Sequence, residues 1–251
     1  MSYWEVVVYN NRMSKDIQFT SLYDNVMEMF YPKPASEYIP DWYKNQPSYT
    51  NNKRNINDSG KTNATIKKCV PVFDAITAGY IIVTCMDIEI IKKENFSDYK
   101  WAYKFNSPFG KVDPVVFHNP EQADKHPSFK DFSSPPKFIN PWSIQTPKGY
   151  STLFVAPMHR DSPFEILPGI VDTDMHFSEV NFPFSLKDPN WSGIIPAGTP
   201  IAQVIPFKRD SWKKNIGGKK EQERTVRSNQ TILLFFSNAY KKLFWSKKIF
   251  K

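Results

Sequence analysis

Short apolar runs bounded by proline, glycine or aspartate follow one another through the middle of the chain. Their length is typical of the strands of a β-barrel or sandwich, where runs of about four to eight residues alternate with turns. The predicted strands are Ala78–Cys85, Ile88–Ile91, Tyr150–Ala156, Glu165–Val171, Glu179–Phe184 and Ile201–Phe207. We therefore expect a β body over residues 66–207, with a polar, proline-containing insertion at about 105–136.

The chain before this body has a different pattern. A run of β-branched and aromatic residues predicts a strand at Trp4–Tyr9. Apolar residues at helical spacing then predict a short helix that ends before Pro32, because the residue before a proline disfavours helical backbone. A polar stretch at 48–64 is typical of a linker, so residues 1–65 are assigned to an N-terminal arm and linker.

The chain after the body lacks both proline and glycine from Glu221 to Lys251. Apolar residues recur there with the period of one helical face. The residues of this face are Ile232, Phe235, Phe236, Ala239, Tyr240, Leu243 and Phe244. We predict that 208–251 is a basic C-terminal tail in which Glu221–Lys251 forms a helix, and that helix is confined mainly to this tail. We also predict that Phe235, Tyr240 and Phe244 are covered by the body or by a partner.

The net charge of +8 is concentrated in this tail. Lys208–Lys251 contains 13 Lys or Arg and 3 Asp or Glu, a balance of +10, and the other 207 residues have a balance of −2. Such a localised excess favours contact with nucleic acid, another phosphate group or an acidic protein face. The alternative is a solvated helix that keeps the chain in solution.

Composition narrows the class of protein. Aromatic residues make up 16% of the chain and proline (21) outnumbers glycine (9), which favours a folded protein with many short extended segments over a disordered one. The two cysteines, Cys69 and Cys85, are too few for a disulfide framework and are expected to be buried free thiols. No secretory signal or membrane-spanning run is apparent, so we expect a protein of the host cytoplasm or of a virion, not a secreted one.

Four segments of the body follow one another in a characteristic order, namely Thr77–Tyr80, Pro147–Tyr150, Gly169–Asp174 and Gly198–Ile205. In this order they resemble the first four motifs of the dUTPase and dCTP deaminase superfamily. The chain therefore resembles that superfamily, which implies a mainly β fold, an antiparallel β-barrel or β-clip. The resemblance also implies a nucleotide site in which Asp172 activates a water and Mg²⁺ is the cofactor. If the chain does not bind nucleotides, no cofactor is expected. The ligand-binding residues it implies are Gly79, Tyr80, Arg160, Asp174 and Gln203.

The chain departs from this superfamily at the groups that do the chemistry. Met175-His176-Phe177 replaces the Tyr-Arg-Gly that follows the third motif, and Pro157–Ser162 stands where the second motif has Pro-Arg-Ser-Gly to cradle phosphate. The glycine-rich phosphate flap is absent from the tail. Because a fold survives such changes more easily than catalysis does, Asp172 and Asp174 have a structural alternative. Short acidic side chains readily accept backbone N–H groups and cap a turn.

The chain also resembles a family of phage and bacterial proteins recorded as a domain of unknown function. The matching segments are Lys67–Pro71, Asn140–Ile144, Gly169–Asp174, Asn181–Phe184 and Gln203–Arg209. This likeness extends from Ile39 to Trp212. It implies a viral or bacterial source and gives no activity.

Other chemistries have weaker signals. His159 and Asp161 form the His-x-Asp pair of some iron sites, for which His176 is the one later histidine, and no metal site is predicted. His118 and His126 in the insertion are expected to have surface or capping roles. No nucleophile or phosphate-loop motif occurs.

These observations predict a viral or phage-related binding or structural protein built on a dUTPase-like scaffold. It would contact protein partners, or further copies of itself, through the arm and the basic tail. The alternative is a Mg²⁺-dependent deoxynucleotide triphosphate pyrophosphatase or a nucleotide-binding protein.

Overall fold

Antiparallel β-structure dominates the computed structural model of this chain. The structure describes residues 15–92, 101–105, 113–123, 125–129, 134–234 and 239–251. The N-terminal strands and helices are β1 (Gln18–Ser21), α1 (Asp24–Met29), β2 (Lys33–Pro34), α2 (Asp41–Asn45) and α3 (Val70–Thr77). The body strands are β3 (Tyr80–Val83), β4 (Ile88–Lys92), β5 (Trp101–Phe105), β6 (Val115–Phe117), β7 (Pro136–Phe138), β8 (Trp142–Gln145), β9 (Tyr150–Val155), β10 (Phe164–Ile166), β11 (Gly169–Val171), β12 (Phe182–Leu186), β13 (Gly193–Ile195) and β14 (Pro200–Lys208), and the tail contains α4 (Lys219–Leu234).

The strands form four open sheets. The largest has the order β11-β9-β14-β3-β2, and the others have the orders β10-β12-β7-β6, β13-β4-β5 and β1-β8. Every pair of neighbouring strands is antiparallel. The predicted mainly β, antiparallel body with a C-terminal helix is therefore confirmed, and within the described ranges no sheet closes into a barrel.

One hydrophobic core joins the sheets. Ile82 of β3, Ile90 of β4, Phe138 of β7 and Ile144 of β8 belong to the same buried cluster, although each strand lies in a different sheet. The Phe138 ring stacks on that of Phe184 with 3.9 Å between centroids. Burying a large apolar side chain stabilises a fold by about 1.5–3 kcal/mol, so this shared cluster binds the sheets into one unit.

A proline divides one predicted strand between two sheets. The run Glu165–Val171 forms β10 and then β11, which pair with β12 and β9 respectively. The N–H of Leu167 still donates to the carbonyl of Pro183 at 2.7 Å. Pro168 has no N–H to continue the ladder, so the chain leaves β12 and joins the central sheet.

The helices differ from prediction in two places. The short arm helix exists as α1, but α2 and α3 also precede the β strands of the body, so the expectation that helix is confined mainly to the tail is wrong. The tail is not helical to its end. A π-helical turn at Tyr240–Phe244 follows α4, and Trp245–Lys251 is not helical. The predicted strand at Trp4–Tyr9 and the side chain of Phe235 lie outside the described residues.

The described part of the arm is built into the body. Val26, Ala35 and Tyr43 are buried, and β2 pairs with β3 at the edge of the central sheet. The polar segment at 48–64 is held by hydrogen bonds of its own, among them Asn63 Nδ2 to the carbonyls of Thr50 and Lys53, both at 2.8 Å.

The last residues of the chain return to the body. Trp245 Nε1 donates to the Asp74 carboxylate at 2.9 Å, and Lys248 Nζ lies 2.7 Å from the same group. The hydroxyl of Tyr80 donates to the carbonyl of Lys251 at 3.1 Å, and the Phe250 ring packs edge-on against Tyr80. These contacts fix the far end of the tail.

Both cysteines are free thiols, as predicted. Cys85 is buried, and its burial raises the pKa of the thiol to about 12. Cys69 is exposed, against expectation, because it precedes α3 at the surface. Among the described helices none is long and apolar enough to cross a membrane.

Replacing Gly79 with alanine tests the turn into β3. Gly79 has φ +70°, and an added Cβ would lie 1.9 Å from the carbonyl oxygen of Val204. We expect Gly79→Ala to lower the free energy of unfolding by about 2 kcal/mol or more. The cause is that alanine disfavours the left-handed backbone conformation and that its Cβ would also clash with the carbonyl of Val204. The control is Gly60, which has φ +72° and open space around it. We expect Gly60→Ala to lower the free energy of unfolding by only about 1 kcal/mol. Equal losses in urea unfolding would contradict the clash.

Candidate functional site

Asp172 lies in a turn that follows β11. Its carbonyl accepts the N–H groups of Met175 and His176, both at 3.0 Å. Its carboxylate accepts a hydrogen bond from Ser151 Oγ at 2.7 Å and lies 3.2 Å from Arg209 Nη1, while 63% of the side chain stays exposed. The predicted water-activating residue is therefore engaged by a hydroxyl and a guanidinium.

Asp174, two residues on, is clamped more tightly. Its side chain is only 2% exposed, it accepts the N–H of Gly149 at 2.8 Å, and Arg209 donates to both carboxylate oxygens. The bond from Arg209, with that from Gly149, lowers the pKa of this carboxyl from 3.8 to about 2. Paired Arg–carboxylate bonds are the strong, charge-assisted kind. This is the turn-capping arrangement given above as the structural alternative.

Gln203 supports the fold around it. The residue is 1% exposed, and its Nε2 donates to the carbonyls of Ala75 and Ala78 at 2.8 and 2.7 Å. Its Oε1 accepts the N–H of Met158 at 2.9 Å. Both amide hydrogens therefore bind the end of α3, and the amide oxygen joins it to the segment after β9.

The structure does not bring Asp172 and Gln203 into one site. In the ladder, Gln203 pairs with Val155, whereas Asp172 contacts Ser151 at the other end of β9. Four residues of extended strand correspond to about 13 Å. The predicted nucleotide site is thus divided between two places on the central sheet.

Gly79 and Tyr80 lie at the turn between α3 and β3. The carbonyl of Gly79 accepts the N–H of Ala35 at 2.9 Å. Tyr80 is buried between the rings of Phe19 and Phe250, and this burial raises the pKa of its hydroxyl. Both residues have structural partners in the places where the resemblance implied ligand contacts.

Arg160 lies at a cleft of about 610 Å³ that opens beyond the end of β9. The ionisable side chains of its lining are His159, Arg160, Asp161, Glu165 and Lys187, and Trp42 lines it as well. Trp42 Nε1 donates to the carbonyl of His159 at 2.8 Å. His159 has φ +57°, a left-handed conformation that is uncommon outside glycine and that concentrates at functional sites.

The guanidinium of Arg160 is incompletely paired. Its Nη2 is buried and has no hydrogen-bond partner among the residues that the structure describes. Desolvation lowers the pKa of Arg160, and the nearby Tyr38 opposes this shift. A buried donor without an acceptor costs about 1–3 kcal/mol, and more when it is charged. Arg160 therefore lines the cleft with a guanidinium of which one nitrogen lies below the surface and is unpaired.

The described residues contain no group of three metal-ligating side chains. His159 and Asp161 both line the cleft, but His176 is not part of its lining and lies in the turn after Asp172. The third ligand of the iron alternative is therefore separated from the first two by the fold.

His118 and His126 line a second cavity, of about 710 Å³. His118 Nδ1 lies 2.6 Å from Gln122 Oε1, and His126 Nδ1 accepts the N–H of Ser128 at 3.2 Å. The second contact is the capping role expected for these histidines. Their position in one cavity was not predicted, since eight residues and a 3₁₀ turn separate them.

Sequence reasoning missed three residues of these sites. Arg209, which clamps Asp174, was counted only as one charge of the basic tail. Trp42 and Lys187 reach the Arg160 cleft from distant parts of the chain. The one feature of the sequence that pointed to this cleft is the adjacency of three ionisable residues, His159, Arg160 and Asp161.

A comparison of the chain with models of known protein families found no match, and a search of curated proteins found no similar sequence. The resemblances described above therefore stay predictions, and the functional argument depends on the geometry of the chain.

The Arg209–Asp174 clamp predicts a pH dependence of stability. Because the pKa of Asp174 is lowered in the folded state, its carboxylate stabilises the fold fully above its ordinary value of 3.8 and loses this effect as the pH falls to about 2. We expect Asp174→Asn to be less stable than the wild type at pH 7, with the difference shrinking between about pH 4 and pH 2. Urea midpoints across this range measure it.

The control for that experiment is Asp41→Asn. Asp41 forms an ion pair with Lys44 in which its side chain is 85% exposed, so its loss should change stability little at any pH. A stability difference for Asp174→Asn that stays constant down to pH 2 would contradict the ion-pair origin.

Proposed function

We propose that this protein is a binding protein without hydrolytic activity, and that its Arg160 cleft takes a phosphate-bearing ligand of the nucleotide class. The observation that carries the proposal is the buried Nη2 of Arg160, which has no hydrogen-bond partner among the described residues. An anionic oxygen would complete its pairing and offset the desolvation of the guanidinium.

The lining of the cleft fits such a ligand. Its volume of about 610 Å³ is in the range of small-molecule sites. Lys187 adds a second cation, and arginine is the side chain best shaped for two-point contact with phosphate. The half-exposed ring of Trp42 provides an aromatic face of the kind on which nucleobases stack.

The resemblance to the dUTPase superfamily supports the same ligand class. Arg160 belongs to the segment Pro157–Ser162, which stands in the place of the phosphate-cradling second motif. We propose a dUTPase-like scaffold on this basis. Asp161 and Glu165 are the carboxylates of the cleft that could hold Mg²⁺ together with the phosphates, since Mg²⁺ typically takes one or two carboxylates and phosphate oxygens.

Hydrolysis has less support than binding. Asp172, the implied base, is not part of the cleft lining, and it is occupied by Ser151 and Arg209. The pyrophosphatase alternative therefore depends on the sequence resemblance alone.

In this proposal the tail is the part of the chain that contacts macromolecules. The described arm is packed into the body through buried residues such as Val26 and Tyr43, whereas many side chains of the tail are exposed to solvent. Tyr240 and Phe244 are 45% and 49% exposed, so the cover predicted for them is incomplete within the described chain. A viral or phage-related structural role remains part of the proposal.

A thermal-shift experiment tests the cleft. Pyrophosphate and dUTP, each with and without Mg²⁺, should raise the melting temperature of the wild type, because a ligand at about 100 times its Kd stabilises by about 2.7 kcal/mol. Arg160→Met should abolish this shift. It should also leave the ligand-free protein at least as stable as the wild type, because it removes a buried unpaired donor.

Arg209→Met is the matched control. It should lower the stability of the protein by breaking the clamp on Asp174 while keeping the ligand-induced shift. No shift of the wild type with either compound would refute the binding proposal. Turnover of dUTP or dCTP by the wild type that is lost in a stable Asp172→Asn variant would refute the absence of catalysis.

A further inference from the structure

The tail helix α4 is exposed to solvent along its described length. Every side chain from Lys219 to Gln230 is exposed except that of Ser228, which is half-buried. A helix that packs on a protein body normally has an apolar stripe facing it, and a helix of this length is marginal in water without such packing. The helix therefore lacks on its own body the contacts that usually stabilise one.

The chain on either side of α4 is attached to the body. Before the helix, β14 pairs with β9 from Gln203 to Lys208 and ends there. After the helix, Trp245 and Lys248 bind Asp74, and Phe250 packs against the core. The chain thus leaves the central sheet, forms an exposed helix and returns, which presents α4 on a folded support.

The side chains of α4 are those that contact nucleic acid. Lys220, Arg224 and Arg227 are spaced i, i+4 and i+7, which places them on one face. Of the two acidic residues, Glu221 accepts the N–H of Gly218 at 2.9 Å and so caps the start of the helix. Uncharged polar residues occupy most of the remaining positions, namely Gln222, Thr225, Ser228, Asn229, Gln230 and Thr231.

The segment before the helix extends this surface. Trp212 is 91% exposed, and Lys213 and Lys214 beside it are exposed as well. An exposed tryptophan beside two lysines combines an aromatic face with cations that pair with phosphates. The segment and α4 are continuous in the chain, so the lysines of the segment add to the positive charge that precedes the helix.

From these observations we propose that α4, with the segment 209–218, is a binding surface for duplex DNA. The helix would lie in the major groove, which admits one α-helix. Lys220, Arg224 and Arg227 would contact phosphates or guanine. Gln230, about 80° around the helix from Lys220, carries the paired donor and acceptor that suit the edge of adenine.

An acidic protein is the weaker occupant of this surface. Protein interfaces are built around an apolar centre, with aromatic and aliphatic side chains desolvated together. The described apolar side chains of α4 do not form such a centre, because Val226 and Ile232 are six residues apart and point about 120° from one another. Amide and hydroxyl side chains along a basic helix match base edges and phosphates better.

The distribution of charge along the chain also favours binding of DNA at α4. The tail from Lys208 has a balance of +10, whereas the rest of the chain has −2. A polyanion is therefore attracted to the tail and not to the body, which steers association toward α4. The proposal shares no residue with the Arg160 cleft and stands without it.

Fluorescence anisotropy with a labelled mixed-sequence duplex of about 20 base pairs, at about 50 mM salt, tests the proposal. The test variant replaces Lys220, Arg224 and Arg227 with glutamine. We expect at least a tenfold loss of affinity, and a slope of log K against log salt that is smaller by about 2–3, because each phosphate contact contributes about 0.9. The melting temperature should not change, since these side chains are solvated.

The control variant replaces Lys53, Arg54 and Lys61 with glutamine. These cations are exposed in the polar segment of the arm, and their removal lowers the net charge by the same three units. We expect an affinity within about threefold of the wild type and an unchanged salt slope.

Three outcomes would overturn the proposal. One is a wild type that fails to bind the duplex at this salt concentration. Another is an equal loss of affinity in the test and control variants, which would mean a general attraction of charges. The third is competition by poly-glutamate as strong as that by unlabelled duplex at equal charge, which would assign the surface to an acidic protein.

Discussion

The strand β14 lies at the centre of the largest sheet, with β9 on one edge and β3 on the other. Strands with partners on both edges satisfy their backbone groups, and residues 201–204 of β14 are all buried in the core. Gln203, midway along it, is fully buried, and its hydrogen bonds reach α3 and the turn after β9. Removing this pairing would separate the arm, the central sheet and the cleft.

The features with functional interest are arranged around this strand. Gln203 holds Met158, two residues before Arg160, and so fixes the turn that carries the cleft. Arg209 follows the end of β14 directly and closes on Asp174. The tail then leaves from the same end and presents α4. One well-satisfied strand thus positions a structural clamp, a candidate anion site and a candidate DNA surface.

Arg160 and α4 are two parts of the described chain that its own contacts leave incomplete. Arg160 has a buried donor without a partner among the described residues, and α4 has little cover on its described side chains. Buried donors and isolated helices are both unfavourable in water, whereas the Asp174 clamp is saturated with partners. Unfinished pairing is a better guide to a binding site here than the acidic residues that resemble a catalytic motif.

The sequence by itself determined the class of the fold and the location of the charge. Runs such as Tyr150–Ala156 and Ile201–Phe207 became β9 and β14 because strand length and local β propensity are properties of neighbouring residues. The tertiary structure alone decided the rest. Asp172 and Gln203 were expected together, but the register of β9 against β14 sets them about 13 Å apart. The ring N–H of Trp42 donates to the carbonyl of His159, which is 117 residues away along the chain. The tail beyond Phe244 is not helical, and Trp245 in it donates to Asp74. Such long-range contacts depend on how sheets pair and pack, which no local pattern encodes.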